Sequence, residues 1–142
     1  EQVAQTYGTI AAGCTGLMYF YGVPATRGNW DAYLQLNKEI LALSDVLLSE
    51  EEIAPSAVSA DPKTLRTLTR KHNGHVYVIS CNIDEGDAGR VTFTLPGGYE
   101  YAGEGEVLFE DRTVKVAGNQ FDDQFAGHAR HVYRVKIVNH GG

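Results

Sequence analysis

At 142 residues the chain is about one domain long, too short for an eight-fold α/β barrel, which takes roughly 250 residues. Hydrophobic residues make up 43% and charged residues 21%, a balance that can bury a core and is unlike a disordered chain. The net charge of −6 speaks against nucleic acid and anionic lipid as partners, since both demand a basic stripe, and no apolar run approaches the ~20 residues that span a bilayer.

The chain opens on Glu1 and its sole methionine, Met18, lies inside an apolar run, so processing or membership of a longer polypeptide is expected. Val3, Ala4, Tyr7, Ile10 and Ala11 recur at helical spacing and predict a short amphipathic helix up to Ala12, stopped by Gly13. The run TGLMYFYG (15–22) is apolar without alternation. It predicts a strand buried on both faces, as in a parallel sheet. After the loop VPATRGN, Asn29 is the expected N-cap of a helix through Leu48. Its apolar positions, from Trp30, Leu34 and Leu36 to Leu43 and Leu48, spread so widely that most of its faces must be packed. Residues 50–63, with Glu50–Glu52, Pro55 and Pro62, read as a linker between a terminal α/β unit (1–49) and a second domain (64–142).

Beyond the linker the pattern changes to short runs about ten residues apart. Strands are expected over Thr64–Arg70, His75–Asn82, Val91–Leu95, Glu106–Phe109, Arg112–Val116 and His131–Val138. Turns fall at HNG (72–74), DEGDAG (84–89), PGG (96–98), GEG (103–105) and AGN (117–119). The fold class is therefore α+β: a helix–strand–helix piece like one unit of a barrel, then a small antiparallel β-sandwich. The lone apolar strand is incomplete by itself, because its backbone donors and acceptors need sheet neighbours.

Other candidate chemistry is weak. The acids Asp84/Glu85/Asp87, Glu104/Glu106, Glu110/Asp111 and Asp122/Asp123 read as solvated turn or strand-end residues, with Asp122 capping a turn. NIDEGDAG (82–89) lacks calcium-loop spacing, and His128 and His131 diverge too far to share zinc. Neither a metal nor a cofactor is expected. His131 reads as a core-face residue with one satisfied nitrogen. Cys14 and Cys81 read as buried free thiols. Tyr77 and Phe93 alternate as core residues do. Tyr99 and Tyr101 share one face and, if exposed, would make a sugar platform.

QTYGTIAAGCTGLMYFYG followed by NWDAYLQLNKEILALSDVLLS resembles the last α/β unit of a (β/α)8-barrel glycoside hydrolase. VLFEDRTVKV, FDDQF and HVYRV, in that order, resemble the small C-terminal β-domain of such enzymes. The resemblance implies that the two catalytic carboxylates precede Glu1, so no catalytic residue lies here and the chain alone is inactive. It also implies that Tyr19, Tyr21, Arg27, Asn29 and Trp30 border a sugar site at the C-terminal end of the last strand. Aromatic faces would stack on sugar there and Arg or Asn would donate to hydroxyls, although Tyr21 and Trp30 also fit plain packing. The implied partner is the remainder of the barrel or another copy of the chain, with a glycan as ligand, and an exported location is favoured. Two alternatives stand beside it. One is a carbohydrate-binding module, weakened by the lack of Trp in the sandwich. The other is a subunit that completes a sheet in another chain.

Overall fold

The computed structural model describes residues 2–14 and 26–140. The expected strand at 15–22, with Tyr19 and Tyr21, lies outside the described residues. The chain is α+β, two helices followed by two antiparallel sheets. Helix α1 covers Gln2–Ala11 and α2 covers Arg27–Leu47. Strands follow as β1 (Ala57–Val58), β2 (Leu65–His72), β3 (His75–Asn82), β4 (Gly89–Thr94), β5 (Tyr99–Leu108), β6 (Arg112–Lys115), β7 (Gln120–Phe125) and β8 (Arg130–His140). One sheet runs β1-β4-β7 and the other β2-β3-β8-β5-β6.

The two sheets face each other as a small sandwich, and the helices form a third layer on the far side of the larger sheet. Two cores record this layering. Val76, Val78, Val91, Phe93, Phe121, Phe125, Tyr133 and Val135 fill the space between the sheets. Ala4, Tyr7, Ile10, Leu36 and Leu43 pack with Ile79, Cys81 and Val132 between helices and sheet. β3 sits in both layers, which is why HVYVISCN reads as a near-continuous apolar run: side chains alternate, yet both faces are covered.

Several elements differ from expectation. Thr26, extended at φ −134°, ψ 156°, caps α2, and its side-chain oxygen accepts the Asn29 N–H at 3.2 Å. Asn29 is therefore inside the first turn. β1 lies within the expected linker and pairs with β4. β5 begins at Tyr99 and runs through GEG, where Gly105 is packed so closely that a Cβ would stand 2.9 Å from Val135. FDDQF forms β7. Asp122 there pairs with Arg90 and accepts from Thr92 at 2.7 Å, so it is a strand residue rather than a turn cap. Cys14 is exposed rather than buried, whereas Cys81 is buried and free.

Candidate functional site

The described residues place chemistry in four spots. The first is the N-terminal end of α2. Arg27 and Trp30 are exposed there and Asn29 is half-buried. Trp30 continues into a stripe with Leu34, Leu41 and Leu48, spaced i, i+4, i+11 and i+18, which holds them on one line of a helix. These four are 50%, 47%, 75% and 67% exposed. Leu36, Glu39, Leu43 and Val46 lie on the opposite side and are buried.

The second spot is Glu39, a carboxylate only 1% exposed. Tyr7 donates its hydroxyl to one oxygen, and Arg130 and Gln35 donate to the other, at 2.5 and 3.1 Å. The Arg130 guanidinium also stands 5.1 Å over the Tyr7 ring. Burial first, then the hydrogen bond to Glu39, holds the Tyr7 phenol well above its ordinary range, so it stays a donor. One node thus ties α1, α2 and β8 together. Sequence reading missed it because Glu39 sits in an apolar helix stripe and its partners are far away along the chain.

The third spot is a seam between the sheets. Arg112 grips Asp123 with two bonds, at 3.1 and 2.7 Å. Tyr133 donates to the same carboxylate at 2.8 Å. Both ring nitrogens of His131 have acceptors, Glu110 at 2.6 Å and the Gln124 carbonyl at 3.0 Å, where one satisfied nitrogen was expected. Burial pushes the Asp123 carboxyl up, but the bonds from Arg112 and Tyr133 outweigh it, and the net shift is downward. These side chains pair with one another across the two sheets, the pattern of a structural fastening.

The fourth is a cleft of about 640 Å³ between the segment following α2 and the β4–β5 turn, lined among others by Glu50, Glu52, Arg70, Gly97 and Tyr99. Tyr99 and Tyr101 are both half-buried, 6.2 Å apart, and burial pushes the Tyr101 phenol up to about 12. The loop NIDEGDAG is held by buried Asn82, whose amide donates to the carbonyls of Gly86 and Ala126 at 2.9 and 3.0 Å. Among the described residues no group of three His, Cys, Asp or Glu is placed to hold a metal.

No protein-family model matches the chain, and no curated protein matches it. Its fold is similar to that of a solved Anoxybacillus alpha-amylase, described as offering insight into a new glycosyl hydrolase subclass, at 18% identity and a TM-score of 0.56. The match covers 87% of this chain and 25% of that one, so the chain spans about a quarter of the amylase's length. At that identity the likeness shows the fold: helices followed by a small β-sandwich recur within a glycoside hydrolase chain.

Proposed function

We propose that this chain is the C-terminal portion of a barrel glycoside hydrolase. In this reading residues 1–49 are the last α/β unit of the barrel, and 64–142 are an accessory sandwich that supports it. The chain alone is not catalytic. Tyr19, Tyr21, Arg27, Asn29 and Trp30 form one edge of the sugar site at the rim of the barrel. The partner is the rest of the barrel, with a glycan as ligand.

One observation carries the reading. α2 is apolar on two opposite sides, and among the described residues only one side is covered. Large apolar side chains left exposed along one line of a helix mark a face that a partner can cover. Covering Leu34, Leu41 and Leu48 contributes roughly 1 kcal/mol each, since about half or more of each side chain remains to be buried. That is the behaviour of a helix sandwiched between a barrel and its β-domain. The similar architecture within a much longer alpha-amylase chain supports the same choice.

Sedimentation velocity of the chain alone tests it. The uncovered stripe predicts concentration-dependent association, abolished in the double variant Leu34→Glu/Leu41→Glu with the far-UV spectrum unchanged. A wild-type chain that stays monomeric at high concentration contradicts the reading.

A further inference from the structure

We propose that Asn73–Gly74, the tip of the β2–β3 hairpin, is a self-modification site. The Asn73 side-chain amide becomes a carboxylate through a succinimide, with help from His75, and the change loosens the segment that follows α2. Of the chain's asparagines only Asn73 precedes a glycine. Asn73 and Gly74, at φ +49° and +75°, form the tight turn that joins the facing pair His72 and His75. Both are exposed, so water reaches them. Gly74 has no Cβ to keep its nitrogen away from the Asn73 side chain, and its N–H makes no hydrogen bond among the described residues.

The flanking histidines hold the reacting groups. His75 Nδ1–H donates to the Asn73 main-chain carbonyl at 3.1 Å. That carbonyl shares a peptide group with the Gly74 nitrogen. The bond therefore stabilises the negative charge that spreads onto the oxygen when the nitrogen loses its proton. On the other side Asn73 Nδ2, the leaving nitrogen, donates to His72 Nε2 at 3.2 Å. The Gly74 nitrogen gives up its proton and bonds to Asn73 Cγ. The Cγ–Nδ2 bond breaks, and Nδ2 departs with that proton as ammonia. Water then opens the succinimide at either carbonyl and gives aspartate or isoaspartate; nothing is oxidised or reduced. The consequence follows from Glu51, which accepts the Asn73 N–H at 3.0 Å and lies 3.7 Å from the Lys71 ammonium. A new carboxylate at position 73 repels the Glu51 carboxylate beside it. Isoaspartate also lengthens the backbone of the turn and disturbs the register it sets.

Peptide mapping by mass spectrometry of the chain kept for days in neutral buffer tests this. The expected result is a gain of about 1 Da, an amide exchanged for an acid, confined to Asn73. The gain should be several-fold slower in His75→Phe, which keeps a ring beside Tyr77 and loses the donor. An amide that persists at Asn73, or conversion at the same rate in His75→Phe, overturns the site. Cleavage after the exposed Glu50 or Glu52 by a glutamate-specific protease reads the consequence. It should be several-fold faster in Asn73→Asp, a residue the turn accommodates, and equal cleavage overturns the loosening. Neither readout depends on the glycosidase reading, which sedimentation judges separately.

Discussion

The two sides of α2 are built from similar residues and meet different surroundings. Leu36 and Leu43 lie against the larger sheet in one cluster with Ile79, Cys81 and Val132, and Val46 is buried on the same side. Trp30, Leu34, Leu41 and Leu48 stand in solvent on the opposite side. The inner side also carries Glu39, which finds Arg130, Tyr7 and Gln35. Apolar burial supplies adhesion on that side, and the Glu39–Arg130 pair crosses the same contact from α2 to β8. Nothing comparable fixes the outer side among the described residues. The comparison shows that amphipathicity alone does not tell how many partners a helix has. A stripe too wide for one contact is a sign of two.

The largest expected effect comes from breaking the inner side. Glu39→Ala strands the Arg130 charge and the Tyr7 hydroxyl in a buried place, at a cost of about 3–5 kcal/mol by chemical denaturation. Next is Leu43→Ala, which opens a cavity under the helix layer and costs about 2–4 kcal/mol by the same measurement. The sandwich interior offers a contrast that does not involve α2. Asp123→Ala leaves Arg112 and Tyr133 without their carboxylate, for about 2 kcal/mol. Its pH dependence has a definite sign. The folded carboxyl titrates below its unfolded value of about 3.9. Its contribution is therefore complete above that pH and disappears as pH falls through the folded value. Asp123→Asn should flatten this acid limb of the stability curve, read from thermal melts between pH 5 and pH 2. The smallest effect belongs to the outer side, where Leu41→Lys in the chain alone should change stability by no more than about 0.5 kcal/mol while weakening association.

Much of the sandwich was legible because its strands keep one side chain in two inside. His75–Asn82 matches its expected bounds, and His131, Tyr133, Val135 and Ile137 share a face as the alternation indicated. β7 escaped notice for a physical reason. Phe121, Asp123 and Phe125 all point inward, and the acid in the middle breaks the apolar alternation that marks a strand. That acid is tolerated because Arg112 and Tyr133 reach it from β6 and β8, partners that only strand register brings together. β1 was hidden because two residues in a Pro- and Glu-rich stretch carry no periodicity. Of the sugar edge, Arg27, Asn29 and Trp30 fall together on the first turn of α2, while Tyr19 and Tyr21 lie outside the described residues. The cleft was half legible: Tyr99 was singled out, but Glu50 and Glu52 were assigned to a linker that in fact forms its opposite wall.

Hydroxyl-radical footprinting of Leu41, 75% exposed in the chain alone, tests the central claim most directly, comparing the natural polypeptide that contains this chain with the chain alone under dilute, monomeric conditions. If the outer side of α2 docks on a barrel, Leu41 is several-fold less reactive in the natural polypeptide. Equal reactivity in the two would contradict the account.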